Sequence, residues 1–419
     1  MLELMERSTV IPPGIGPTRR SLWLVNQFAA GPGDPGGTRH FELGRELVRR
    51  GWEVMIVASD LRLHSRRYSR HSGANDREAV EEDIEGVQFK WLWASPYDRN
   101  DWKRAANWLS FAREISRAGS GARRPDVVLG SSPTLLAAFA ASRLATTWKI
   151  PFVLEVRDLW PESMLAAGGG KGLAYYAFAQ IAERLYTRAA KIVVLARGVG
   201  DHLAARGIDA SKIVYIPNGI DVDAFGAEPH RNGRLQLIYA GAHGPANGLD
   251  AVLGAAELLR DRHDIEFLLI GDGPSKKSLC NRAEAQNLEN VQFLPPVPKR
   301  DMPVLLKQAG AGLMVLREAP LFSYGVSPNK LFDYFGAGLP VICNVPGDVE
   351  RMVRTARAGE QTRDSSPAAL ADAILRLAAR PLEDREVMGK AGQDWVAAEH
   401  GRAALAERLD ETLRQVVAR

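Results

Sequence analysis

The sequence predicts an α/β protein made of two doubly wound parallel sheets that face each other across a cleft. Three observations carry this. Short apolar runs alternate with amphipathic helical stretches from residue 21 onward. The alternation breaks at Pro217-Asn218-Gly219 and a polar run to residue 232, then restarts at Leu235. At 419 residues the chain is long enough for two separate cores.

In chain order, residues 21–28 read as a first strand, followed by a glycine-rich loop and a helix over 38–50 with Phe41, Leu43, Leu47 and Val48 as its apolar stripe. A second strand follows over 53–58. Gly31, Gly33 and Gly36 match G-x-G-x-x-G, and Asp60 stands where a dinucleotide fold keeps its ribose-binding acid. An NAD-dependent enzyme is therefore one reading of this half. Residues 61–84 are polar and read as a mobile loop carrying Arg62, Arg66, Arg67 and Arg70. After a strand over 87–93 come Trp91, Trp93, Tyr97, Trp102 and Trp108, with Arg99, Lys103 and Arg104 among them. Such a mixture reads either as core or as a membrane-facing surface.

Strands over 126–129, 152–156, 192–195 and 213–216 alternate with helices over 134–144 and 173–189. The strand 152–156 runs directly into Arg157-Asp158, at the strand end where open α/β sheets bind ligands. The second half repeats the pattern. Strand 235–240 ends in Gly241-Ala242-His243-Gly244, strand 266–270 in Gly271-Asp272-Gly273-Pro274, and strand 312–316 in Arg317. The expected division is a disordered tail (1–20), a first domain (21–219), a hinge (220–232), a second domain (233–395) and a last helical segment (396–419) free to return to the first domain.

The most fully specified stretch is 327–341. Ser327 reads as an N-cap, Pro328 as the first helical residue, Gly338 as a left-handed terminator, and Val341-Ile342-Cys343 as a buried strand. Lys330 and Asp333, at i and i+3, share a face near the helix start. A cation beside free amides suits a phosphate, and an acid one turn deeper suits vicinal ribose hydroxyls. Together they point to a nucleotide; the plainer alternative is a capped core helix with a solvated ion pair.

Composition sets the outer bounds. Hydrophobic residues at 46%, charged residues at 25% and a formal net charge of +4 fit a soluble protein with an anionic partner, without calling for nucleic acid. No apolar run is long enough to span a bilayer, since 135–148 is broken by Ser142 and Arg143. Residues 1–20 lack the apolar core of a targeting signal. Cys280 and Cys343 show neither metal-ligand nor disulfide spacing, which fits a reducing compartment.

Taken together, several short stretches resemble glycosyltransferase family 4: Gly36-Gly37-Thr38-Arg39, Arg157-Asp158-Leu159-Trp160-Pro161, Ile216-Pro217-Asn218-Gly219-Ile220-Asp221, Tyr239-Ala240-Gly241, Gly271-Asp272-Gly273-Pro274 and the segment 327–340. Within that family the chain looks most like bacterial surface-polysaccharide transferases related to the O-antigen fucosamine transferases. The resemblance implies the GT-B fold, two Rossmann-like domains across a cleft, and retaining, metal-independent transfer from a nucleotide sugar such as a UDP-sugar, with no cofactor. It implies a nucleotide in the second domain, Asp333 on the ribose, Gly37 approaching the donor phosphate, and Gly271 beside the base. Asp221-Val222-Asp223 then belongs to the hinge and is not a metal site.

The chain also departs from the family pattern. The first acid of the E-x7-E motif falls at Gly325, and the usual phosphate-clamping arginine and lysine fall at Ala242 and Asn247. Arg157 stands where a catalytic histidine is common. Lys330, Arg317, His243 and the helix start at Ser327 are the expected substitutes for the clamp. The expected catalytic residues are thus Arg157, Asp158 and Lys330. The expected donor-binding residues are Gly37, Gly241, His243, Gly271, Arg317, Gly325, Ser327, Asn329, Lys330 and Asp333. The implied acceptor is a polyprenyl-diphosphate-linked saccharide, met by peripheral contact with the anionic inner face of the cytoplasmic membrane through Arg62–Arg70 and Trp91–Trp108. A UDP-sugar-hydrolysing epimerase and a non-catalytic binder are the remaining alternatives.

Overall fold

The computed structural model describes residues 19–32, 34, 37–63, 65–98, 102–166, 170–225, 235–298, 301–318 and 325–418. Gly33, Pro35 and Gly36 of the first glycine loop, Arg99, the expected tail over 1–18 and the hinge residues 226–232 lie outside them.

The first domain holds strands β1 (Arg20–Val25), β2 (Trp52–Ser59), β3 (Val80–Ile84), β4 (Val87–Leu92), β5 (Val127–Ser131), β6 (Phe152–Val156), β7 (Lys191–Val194) and β8 (Ile213–Tyr215). Its helices are α1 (Arg39–Arg49), α2 (Trp102–Gly119), α3 (Leu135–Trp148), α4 (Glu162–Ala166), α5 (Leu173–Arg188) and α6 (Arg197–Ala205). The second domain holds β9 (Leu235–Ala240), β10 (Ile265–Ile270), β11 (Val291–Leu294), β12 (Ala311–Met314), β13 (Val341–Cys343) and β14 (Gly359–Gln361). With them come α7 (Leu249–Leu258), α8 (Lys276–Ala285), α9 (Met302–Gln308), α10 (Asn329–Gly336), α11 (Asp348–Ala356), α12 (Pro367–Ala378) and α13 (Leu382–His400), and a final helix α14 (Arg402–Val417).

The first sheet runs β3-β4-β2-β1-β5-β6-β7-β8 and the second β11-β10-β9-β12-β13-β14. All pairings are parallel except β3 with β4. Each sheet is covered on both faces, as parallel sheets require. The period of two is visible in β1: Leu22 and Leu24 join one core, Trp23 and Val25 the other. In β9 and β10, Leu237 and Leu269 face one side while Ile238 and Leu268 face the other.

The last helix belongs to the first domain's core. Leu405, Leu409 and Leu413 lie at i, i+4 and i+8 on α14 and pack with Leu22, Phe41 and Leu47. The Trp52 indole donates to Asp410 at 2.6 Å. The chain therefore crosses between domains at 216–220 and again at 400–402. The two crossings are joined: Ile220 N donates to the His400 carbonyl, and Arg402 N to the Ile220 carbonyl, both at 3.0 Å.

Strand order reverses between β1 and β5 in the first sheet and between β9 and β12 in the second. Such switch points open crevices at the carboxyl ends of the strands. Here they bring the loop before α1 and the turn after β5 into one wall, and Gly241 with the segment after β12 into the other.

The supposed loop over 61–84 is corrected. Its last residues form β3, which pairs antiparallel with β4. Arg62 is buried, ion-paired with Asp34 and set over the Trp91 ring. Arg70 lies 3.8 Å over the same ring and pairs with Glu82 at 2.7 Å. Of the four arginines, only Arg66 and Arg67 are exposed. Trp91, Trp93 and Tyr97 are core residues, whereas Trp102 is 74% exposed.

Candidate active site

On the second-domain wall, the ends of β9 and β10 pass so closely that a Cβ on Gly271 would lie 1.9 Å from the Gly241 carbonyl oxygen. Gly271 also has φ +144°, so glycine is required twice over. Lys330, in the first turn of α10, leans back over this junction. Its ammonium donates to the Tyr239 hydroxyl at 3.0 Å and sits 4.2 Å from the centre of that ring. The Tyr239 hydroxyl donates onward to the Ala242 carbonyl at 2.8 Å. Burial without a counter-ion pushes the Lys330 pKa down to about 7. Asp333 is half-buried one turn later, near enough to Arg402 to favour its charge. Arg317 and Asn329 are exposed, and the Arg317 amide donates to the Ala246 carbonyl at 2.9 Å.

Three expectations are corrected here. His243 is fully buried, with its ring against Tyr239 and Phe293. Burial, helped by the nearby Lys276, holds its pKa below the ordinary value, so it is a neutral core residue and not a phosphate clamp. Ser327 does not cap α10. Pro328 occupies the cap position without a side-chain bond, and the Ser327 hydroxyl accepts the Asn218 amide at 2.9 Å, from a residue 109 positions earlier. Gly325 is not a sugar-gripping position that lost its acid. Its φ is +90°, and a Cβ there would lie 2.6 Å from the Asp348 carboxylate and 3.0 Å from Ala196. No side chain fits. Asp348, buried at the start of α11, uses that carboxylate to accept the Gly198 amide of α6 across the domain boundary at 3.2 Å. The helix end is as expected: Gly338 has φ +67°, and β13 follows fully buried.

On the first-domain wall, Arg157 and Asp158 leave the end of β6. The Arg157 amide donates to the Ser132 hydroxyl at 3.1 Å, and its guanidinium lies 3.8 Å from where a Cβ on Gly37 would stand. A methyl group at Gly37 therefore displaces none of the described residues. Arg157 and Asp158, though adjacent in sequence, form no ion pair with each other. Asp158 is open to the cleft, but the surrounding protein mass raises its pKa, with Arg157 only partly opposing. A cavity of about 220 Å³ lies between the walls, lined by Arg157, Asp158, Ser163, Asn218, Gly325 and Ser327 among others.

Behind this wall lies a network the sequence reading missed. Glu155 is buried in β6. It holds Arg39 Nε at 2.9 Å, His40 Nε2 at 2.7 Å and the Ser131 hydroxyl at 2.7 Å. Burial opposes its charge, but Arg39 and His40 outweigh it and hold the carboxyl well below the usual range. His40 is itself pushed below its ordinary pKa by burial, with Glu155 opposing. The available signal was a lone acid inside the apolar run Phe152-Val153-Leu154-Glu155-Val156. Asp60 is also spoken for: its carboxylate accepts the amides of Ser69, Arg70 and His71 at 2.8–3.1 Å. No ribose reaches it, which removes the acid from the dinucleotide reading. Among the described residues, no group of His, Cys, Asp and Glu is placed to hold a metal ion.

Residues 36–219 match the Glycosyl transferase 4-like domain, and residues 223–395 match the Glycosyl transferases group 1 domain. Each half of the chain thus matches a glycosyltransferase domain. It is 28% identical over 231 residues to WcaI of Escherichia coli (strain K12), named for glycosyl transfer in colanic acid biosynthesis; the match covers 51% of this chain and 56% of WcaI. It is 27% identical over 224 residues to a GDP-mannose-dependent phosphatidylinositol monomannoside mannosyltransferase of Mycobacterium tuberculosis, covering 49% and 56%. The chain thus spans little more than half the length of these relatives. The solved structure of Anabaena HepE with UDP and glucose superposes with a TM-score of 0.68 at 13% identity, over 95% of this chain and all of that one. The fold is that of the GT-B glycosyltransferases, two α/β domains with the cleft between them.

Proposed function

We propose that the protein transfers a hexosyl group from a nucleoside-diphosphate sugar to an acceptor hydroxyl, with retained configuration and without a metal. One observation carries this: Arg157 and Asp158 of the first domain share a cavity of about 220 Å³ with Gly325, Ser327 and Pro328 of the second, at the start of the helix whose first turn holds Lys330 over Tyr239. The diphosphate lies against Gly241, Lys330 and Arg317, the ribose against Asp333, and Gly37 admits the phosphate from the first domain. The bond from the anomeric carbon to the diphosphate breaks as that to the acceptor oxygen forms on the same face. The acceptor proton passes to the departing phosphate. Lys330 and Arg157 stabilise the charge that develops there, and Asp158 orients the acceptor hydroxyl. UDP is our preferred nucleotide, following the ligand of HepE.

The test is calorimetry with UDP, GDP, ADP and dTDP, followed by turnover of the matching sugar nucleotide with EDTA present. Binding of one diphosphate and EDTA-resistant transfer support the reading. Silence with all four sinks it. Free sugar as the only product favours the hydrolysing epimerase.

For the acceptor we propose a polyprenyl-diphosphate-linked saccharide at an anionic bilayer, in line with the lipid acceptor in the mycobacterial relative's name. The surface that suits this is not Arg62–Arg70. Trp102 and Leu109 on α2, and Leu173 and Tyr176 on α5, are exposed large apolar residues. They adjoin the Trp108–Trp160–Phe178 cluster beside the cleft. Exposed Lys103, Arg113 and Lys171 accompany them, each worth about 1 kcal/mol at an anionic surface. Among the described residues no helix is long and apolar enough to cross a membrane. Replacing Trp102 and Leu173 by Ser should release the protein from phosphatidylglycerol liposomes, and replacing Arg66 and Arg67 should not.

A further inference from the structure

The crossing segment 216–220 has nearly all its polar groups bonded to one domain or the other. Arg39 of α1 donates to the Ile216 carbonyl at 2.8 Å and also to the Pro217 carbonyl. Arg402 donates to the Gly219 carbonyl at 2.7 Å. Gly219 has no room for a side chain: a Cβ would lie 2.3 Å from the His400 carbonyl oxygen. Asn218 is the member that reaches the donor side. Its amide donates to the Ser327 hydroxyl at 2.9 Å, and its side-chain Nδ2 to the Ser327 carbonyl at 2.7 Å.

This matters because α10 is short and starts without a side-chain cap, so its first turn rests on little more than the Leu331 amide's bond to the Pro328 carbonyl at 3.2 Å. The two bonds from Asn218 hold Ser327, two residues ahead of that turn and three ahead of Lys330. The same segment is held from the other side by Arg39, which is pinned by Glu155 and sits two residues after Gly37. A continuous run of hydrogen bonds therefore joins the loop of one wall to the helix of the other. Asn218 is 7% exposed and lines the cavity between them.

We propose that Asn218 is a positioning residue, which sets α10 so that Lys330 reaches the diphosphate while the first domain closes on it. The proposal rests on the donor reading above. It differs from a purely structural role in what it predicts: binding of the nucleoside part is spared, and the extra affinity for the second phosphate is lost.

The test uses the full chain and compares mono- and diphosphates of whichever nucleotide binds the unmodified protein. Asn218→Ala should lower the diphosphate-to-monophosphate affinity ratio about tenfold, the range of one or two hydrogen bonds, with turnover falling in step. Monophosphate affinity should change less than twofold. Asn218→Asp keeps the size but sets a carboxylate against the Ser327 carbonyl, so it should do worse than Asn218→Ala despite being isosteric. Ser327→Ala should share the effect, and the double variant should lose less than the sum. An unchanged ratio in Asn218→Ala, or equal losses for mono- and diphosphate, overturns the proposal. If the unmodified protein binds none of the four diphosphates, the donor reading fails first and takes this proposal with it.

Discussion

The two walls of the cleft solve the problem of buried charge in opposite ways. Behind the first wall, Glu155, Arg39, His40 and Ser131 form a closed set whose charges answer one another. On the second wall Lys330 has a tyrosine hydroxyl and a ring, but no carboxylate among the described residues. The first arrangement is complete without a ligand and fixes the backbone around Arg157 and the crossing segment. The second is left short of negative charge, and on the donor reading proposed above the diphosphate supplies it. A compensated charge belongs to the scaffold, and an uncompensated one marks where the ligand belongs.

The comparison breaks most sharply at Glu155. Glu155→Ala leaves Arg39 buried without its carboxylate, which should cost about 3–5 kcal/mol of folding stability in urea unfolding. Glu155→Gln should cost less, because the amide still accepts from one partner. If either variant unfolds at the same midpoint as the unmodified protein, the first wall is not the scaffold described above.

Lys330→Met should do the reverse. Removing a half-buried cation that has no carboxylate partner among the described residues should leave stability equal or higher, while diphosphate affinity drops by about 1.5–3 kcal/mol, the range for a hydrogen bond to a charged group. pH sharpens the point because the two observables move in opposite directions. The Lys330 pKa falls from 10.5 to about 7 on folding. Between those values the unfolded chain binds more protons, so this residue makes stability rise with pH, and its contribution is lost as pH falls through 7. Diphosphate affinity should instead weaken as pH rises through 7 and Lys330 loses its proton. Lys330→Met should flatten both slopes. Parallel slopes in the unmodified protein would show that another group controls binding.

The smallest expected effect is at Asp333. Asp333→Asn should weaken mono- and diphosphate alike, by about 1–3 kcal/mol, because the ribose is common to both. Selective loss of the diphosphate would place Asp333 in the electrostatics of Arg402 and the crossing, not on the sugar.

Much of the second wall was legible in the sequence, because its signals are local. Gly241, Gly271 and Gly338 announce themselves as backbone requirements, and Lys330 follows from i, i+3 spacing on a punctuated helix. The alternation of strands and helices was equally local, so the two-sheet architecture could be read directly. What failed depended on distance. Ser327 has the right chemistry for an N-cap, but a stronger competitor arrives from Asn218. His243 looks like a usable cation until tertiary packing buries it. The four arginines from Arg62 to Arg70 read as a solvated patch because Asp34, which claims Arg62, is 28 positions away, and Glu82, which claims Arg70, lies in a strand that went unrecognised.

By itself, the sequence determined the periodicities, the positions of obligatory turns and the stock of charged groups. Those are set by each residue's own backbone freedom and by its neighbours within a few positions. Only the tertiary structure decided which charges are answered and which are left open. Glu155 meets Arg39 across 116 positions, and Asn218 meets Ser327 across 109. The energy of a buried charge depends on burial and on the nearest opposite charge, and neither exists until the sheets have closed around them.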